Sequence, residues 1–318
     1  MLDAVKHQDE SVTFLRRWVA GGLTSPLLLV GPEGTGRRYA ALQAIREVFC
    51  TQTERNTHCR CVDCAQLASG CHPDLLELVA GNKDIGVDAA RSAITTLGVY
   101  PTQVSLRVVL IDGADRMTAP AANALLKTLE EPPVTARVLL LAESLASVLP
   151  TVRSRCGVLN FRPLPEDFIL SKVQPFESNV TKALVYARLG EGSVGRAIQY
   201  WGSGRLALRD KALNLLSLAL AKDLAGVFLL VDQLEKELFL FLRFLSTLIH
   251  DVLLLDVAPQ YAINLDVLDT LKDMTCCPTS TWLQLQRDLQ SLVAVSRSTR
   301  IQLAFHVKTL FVQTLFKV

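Results

Sequence analysis

Hydrophobic and polar positions follow two rhythms along this chain. Over about the first 160 residues, short apolar runs of strand type alternate with segments of helical spacing, the pattern of an α/β domain. Pro26–Val30 is a compact apolar run ending at a glycine, which predicts a buried parallel strand. Arg37–Val48 has helical spacing. Asp74–Val79, Arg107–Ile111, Val138–Ala142 and Val158–Phe161 are four further strand candidates. Ala122, Leu125, Leu126 and Leu129 recur at i, i+3, i+4 and i+7, so a helix is predicted that stops at Pro132-Pro133. From Pro163 onward the strand signal fades. Residues 165–202 read as a few short helices, and residues 206–318 as leucine-rich helices broken at Pro259 and Pro278.

Half of the residues are hydrophobic and a fifth are charged, ordinary for a globular chain with ample material for a core. A length of 318 residues predicts two or three domains. The net charge of +2 gives no bulk attraction for nucleic acid, so any such contact needs a local patch. Met1–Glu10 is polar and charged, unlike a secretory leader. Leu238–Leu255 is strongly apolar but is interrupted by Arg243, His250 and Asp251, which predicts a buried helix rather than a membrane span. A cytoplasmic chain without membrane association is therefore expected. Eight cysteines in that compartment argue against a disulfide framework and for a metal site where they cluster.

Gly31-Pro32-Glu33-Gly34-Thr35-Gly36-Arg37-Arg38 lies between a predicted strand and a predicted helix, the setting of a phosphate-binding loop. Gly31, Gly34 and Gly36 permit tight turns whose N–H groups face phosphate. A working loop also needs a lysine for the β- and γ-phosphates and a Ser or Thr hydroxyl for Mg²⁺. Arg37 and Arg38 stand at those positions. Arginine keeps the charge but cannot replace the metal-binding hydroxyl. At the end of the third strand the sequence reads Asp112-Gly113-Ala114-Asp115. Asp112 can serve a metal, but Gly113 stands where the general base belongs. Asp115 reads as a helix-terminal or solvated carboxylate. This degenerate site is expected not to hydrolyse ATP·Mg²⁺. Cys50, Cys59, Cys61 and Cys64 fall within fifteen residues, a spacing that suits a structural, tetrahedral Zn²⁺. Cys71 lies outside that pattern.

The run from Ala122 through Pro133, followed by Arg153-Ser154-Arg155-Cys156, resembles the bacterial clamp-loader ATPase family. The cysteine-rich insert, His72-Pro73-Asp74 and Gly192-Ser193-Val194-Gly195-Arg196-Ala197 resemble it too, so the likeness spans roughly residues 5–200. Within that family, loss of the loop lysine, the hydroxyl and the general base, together with an intact Ser-Arg-Cys motif, resembles the δ′ branch of DNA polymerase III clamp loaders.

The resemblance implies an AAA+ fold with a P-loop-type parallel sheet (residues 1–162, zinc insert at about 50–64). It also implies a small helical lid domain (163–205) and an all-α collar domain (206–318). It implies that Arg155 acts in trans, as an arginine finger in a neighbour's ATP site. Arg196 matches an arginine that reaches the γ-phosphate in active relatives; without nucleotide its role reduces to packing between domains. The family's cysteine pattern puts a ligand where His58 stands, so His58 and Cys59 compete for the third metal position. Implied partners are γ/τ ATPase subunits, the δ subunit, the β sliding clamp and, through the five-subunit loader, primer–template DNA. Two other readings fit the sequence: a γ/τ-like ATPase with an unusual loop, and a zinc-containing adaptor outside replication.

Overall fold

A computed structural model describes residues 1–52, 55–81, 83–234, 237–296 and 303–315. Residues 53 and 54 of the expected insert, 82 of the expected first domain, and 235–236, 297–302 and 316–318 of the expected C-terminal domain lie outside the described residues. The chain divides into two compact units, one of Met1–Pro165 with Gly192–Gly195, the other of Glu166–Glu191 with Arg196–Val318.

The first unit is built on five parallel strands, β1 (Leu27–Val30), β2 (Leu75–Val79), β3 (Arg107–Asp112), β4 (Ala136–Ala142) and β5 (Gly157–Asn160). Their order is β2-β3-β4-β1-β5. Its helices are α1 (Asp9–Val19), α2 (Arg37–Phe49), α3 (Val62–Ala68), α4 (Val87–Leu97), α5 (Ala119–Glu130) and α6 (Pro150–Arg153). Successive strand residues point to opposite faces. Leu28, Val30, Val109, Ile111, Val138 and Leu140 pack with Ala90, Ala93 and Leu97 of α4 and Leu125 and Leu129 of α5. Leu27, Leu29, Val108, Leu110, Leu139 and Leu141 pack with Leu15 and Trp18 of α1 and Ala41, Ile45 and Phe49 of α2. Both faces are covered, which is why β1 is apolar at every position and β4 at every position but Arg137.

Local chemistry sets the element ends. The Thr118 side chain accepts from the Ala121 N–H and Pro120 sits in the first turn, so α5 starts there; Pro132 forbids its continuation. The second strand begins at Leu75 rather than at the expected Asp74 because Asp74 is spent on the chain around residue 103. Its fully buried carboxylate accepts from the backbone N–H groups of Thr102 (2.7 Å), Gln103 (2.7 Å) and Val104 (3.2 Å) and from Arg107 Nη2 (2.9 Å). Burial raises its pKa, but the three N–H groups and the Thr102 hydroxyl (2.8 Å) outweigh burial and hold the carboxyl well below the usual range.

The second unit is helical: α7 (Glu166–Val173), α8 (Val180–Leu189), α9 (Val194–Gly202), α10 (Leu206–Leu220), α11 (Leu224–Asp232), α12 (Leu238–Leu254), α13 (Leu268–Lys272), α14 (Thr279–Ser296) and α15 (Leu303–Leu315). The expected buried helix is α12, whose Phe241, Leu245, Leu248 and Ile249 are fully buried. Asp251 interrupts its apolar pattern for a structural reason. It is fully buried and accepts from the N–H of Ile263 (2.8 Å) and Asn264 (2.7 Å), anchoring the segment after Pro259. Among the described residues no helix is long and apolar enough to cross a membrane.

Candidate functional site

The glycine-rich loop leaves β1 at Gly31 and enters α2 at Gly36. Gly34 and Gly36 have φ of +77° and +96°, the left-handed region that side chains resist. A Cβ on Gly31 would lie 2.2 Å from the Phe161 carbonyl oxygen, and one on Gly34 would lie 1.8 Å from Ser193 Oγ. The loop is therefore packed between the end of β5 and the Gly192–Gly195 segment, which explains why that motif belongs to the first unit. Gln8 completes the frame. Its Nε2 donates to the Arg162 carbonyl (2.7 Å) and its Oε1 accepts from the Arg162 N–H (3.1 Å).

The two arginines differ in their surroundings. Arg37, in the first turn of α2, is 9% exposed and has no hydrogen-bond or ion-pair partner among the described residues. Burial lowers its pKa, against the fields of Glu143, Asp112, Asp115 and Glu33. Arg38 donates through Nη1 to Asp112 Oδ2 at 3.0 Å and through Nη2 to Glu77. Burial opposes its charge, but these two carboxylates outweigh burial and raise its pKa. Asp112, the expected metal-shell residue, is thus neutralised from within. Gly113 has φ +100°, and a Cβ there would lie 2.5 Å from Ala80 Cβ. The position expected for a general base has no room for a side chain. Asp115 is not merely solvated, since its Oδ2 accepts from the Glu143 N–H (3.0 Å). The residues present do not suit Mg²⁺-bound nucleotide.

Arg155 follows α6 at the opposite end of the sheet from this loop. Gly157 pairs with Leu27 at the start of β1, whereas the loop leaves β1 after Val30. Its Nη1 donates to the Thr151 carbonyl (3.0 Å) and its Nη2 to Glu130 Oε1 (3.3 Å) at the end of α5. Its Nε is buried without a partner among the described residues. Arg153 is exposed. In the second unit, Arg196 Nη1 pairs with Glu191 at 3.0 Å, and Glu191 also receives Arg243 of α12.

The four expected cysteines come together. Cys50 ends α2, Cys61 caps α3 and Cys64 lies in its first turn. The Sγ atoms of Cys50, Cys59, Cys61 and Cys64 all lie within 4.8 Å of one another. Cys50 and Cys59 are 3.7 Å apart, close to the edge of about 3.8 Å in a tetrahedron with metal–sulfur bonds of about 2.3 Å. His58 is not part of this group, and Cys71 is exposed. Burial pushes the Cys64 thiol up to about 12. Burial also opposes ionisation of Cys61, but hydrogen bonds from the Cys64 N–H and thiol outweigh it and bring Cys61 down to about 6. The donor set fits a soft or borderline divalent metal.

A family model described as DNA polymerase III, delta subunit, matches residues 7–165. The DNA polymerase III subunit δ′ of Escherichia coli is 30% identical over 246 residues, 76% of this chain and 73% of that protein. The chain belongs to the DNA polymerase III δ′ family. The Bacillus subtilis δ′ subunit is 33% identical over 192 residues, 55% of this chain and 57% of that one. A solved γ-subunit-related protein of DNA polymerase III from Thermotoga maritima matches 90% of this chain and 98% of its own, with a TM-score of 0.51 and 21% identity. That likeness concerns the fold, an AAA+ parallel sheet followed by helices. Family membership does not by itself reveal Glu77 or Gln8. Neither carries a motif, and each is brought to the site by strand order or by packing.

Proposed function

We propose that this chain takes part in loading a DNA sliding clamp as the δ′ member of a hetero-oligomeric loader that does not itself hydrolyse ATP. In this reading Arg155 acts in trans, as a fixed cation that senses the γ-phosphate in a neighbouring γ/τ-type subunit and stabilises charge in its transition state. The observation that carries the non-hydrolysing part is the placement of Arg38. Its guanidinium holds Asp112 and Glu77 where an active site would hold a magnesium ion and its hydroxyl ligand. The position of Arg155 at the far end of the strands from its own loop supports action on a neighbour. Arg196, paired with Glu191, serves packing within the helical unit.

Cys50, Cys59, Cys61 and Cys64 would hold a Zn²⁺, which would supply structural cross-linking to an insert with little core of its own. The division into AAA+ domain, lid and collar belongs to the same reading, with the C-terminal helices assembling alongside γ/τ and δ subunits. The β clamp and primer–template DNA are the assembly's targets. Reconstitution with γ/τ and δ subunits tests the reading. Clamp loading should require this chain, and the isolated chain should show no ATPase above background. Steady turnover by the isolated chain, abolished in Asp112→Asn, would favour a γ/τ-like enzyme instead.

A further inference from the structure

Residues 55–61, which carry Cys59 and Cys61, contain no helix or strand. Such a segment holds two metal ligands in place only if something outside it fixes its backbone. Arg46, one turn before Cys50 on α2, reaches across to it. Its Nη1 donates to the Thr57 carbonyl at 2.9 Å and its Nη2 to the Cys59 carbonyl at 2.6 Å. Its Nε is buried without a partner among the described residues. A planar guanidinium grips two carbonyls at once through its fixed fork of donors, which an ammonium does not match.

The charge balance points the same way. Four thiolates around one divalent cation leave a double negative charge. Cys50 and Cys64 are 3% and 1% exposed, so water screens that charge poorly. A cation beside the cluster offsets part of it. Groups outside the ligand shell that orient ligands and balance charge contribute strongly to metal affinity.

We propose that Arg46 is the positioning residue of the metal centre. It clamps the loop bearing Cys59 and Cys61 onto α2 and compensates the charge of the metal-bound thiolates. The inference rests on the reading of the four cysteines as a metal site. It goes beyond that reading by assigning the residue that sets the site's affinity.

The test uses the full chain, with Co²⁺ as a spectroscopic probe and Zn²⁺ in competition with a chromophoric chelator. Wild type should show the sulfur-to-cobalt charge-transfer bands of a four-thiolate site. Arg46→Ala should keep the band shape but bind Zn²⁺ roughly 10–100-fold more weakly. Arg46→Lys retains the charge and loses the two-carbonyl grip, so it should fall between the two; it also supplies the comparison should Arg46→Ala fold poorly. Equal Zn²⁺ affinity in wild type and Arg46→Lys, with Arg46→Ala equal or unfolded, would overturn the assignment while leaving the metal site intact. Absence of thiolate bands in wild type would remove the metal site itself, and the inference with it.

Discussion

Replacing Gly113 by alanine should destabilise the first unit by about 2–5 kcal/mol. The backbone there has φ +100° and ψ +45°, and an L-residue held in left-handed backbone costs about 1–2 kcal/mol. The new Cβ would also sit 2.5 Å from Ala80 Cβ. The Ala80 backbone is held by its N–H bond to the Asp112 carbonyl (2.8 Å), so it cannot retreat without breaking the junction of β2 and β3. Overpacking of this kind costs a further 1–3 kcal/mol or so. Urea unfolding followed by hydrogen exchange of β3 and β4 amides reads out this unit separately from the helical one. The double variant Gly113→Ala/Ala80→Gly should relieve the clash and keep the strain, giving a coupling of about 1–3 kcal/mol. A Gly113→Ala variant within about 0.5 kcal/mol of wild type would refute the argument. The functional corollary is that Gly113→Glu should not create an ATPase, because the backbone cannot hold a general base at that position.

The purified chain should contain about one Zn²⁺, lost in Cys64→Ser and retained in Cys71→Ser, as read by elemental analysis; retention in Cys64→Ser would exclude the four-cysteine site. Asp74→Asn should destabilise the chain by about 3–5 kcal/mol at neutral pH, because it leaves buried Arg107 without its carboxylate. The pH dependence has a defined sign. The folded pKa of Asp74 is depressed, so its contribution is complete above the unfolded value of 3.8 and is lost as pH falls through the lower folded value. The stability gap between wild type and Asp74→Asn should therefore narrow on acidification below about pH 4. A gap that widens there would show that the carboxylate is not the stabilising form.

Much of the first unit was legible in the chain. Strands buried on both faces leave continuous apolar runs, and β1 and β4 have nothing else to signal. The loop glycines and the four clustered cysteines were also visible, because each chemistry demands a residue type at a spacing. The partners of those residues were not. Glu77 meets Arg38 because β2 lies beside β3, and strand order leaves no trace in local periodicity. Ser193 packs on Gly34 from about 160 residues away, and the role of Asp115 as an acceptor for the Glu143 N–H depends on where β4 ends. The choice between His58 and Cys59 was equally closed to sequence. It depends on how the loop folds back onto α2, where Arg46 receives it.

In the proposed function, a subunit without a working site of its own contributes to a neighbour's chemistry through Arg155. The direct measurement is DNA- and clamp-stimulated ATP hydrolysis by reconstituted loaders carrying wild type, Arg155→Ala or Arg153→Ala. Fingers supplied in trans are worth about 10³-fold or more at a single site. Total turnover should fall by less, because this subunit would complete one of several sites. Hydrolysis should slow with Arg155→Ala, with normal assembly and metal content, and should not change with exposed Arg153→Ala. Wild-type turnover and clamp loading with Arg155→Ala would contradict it.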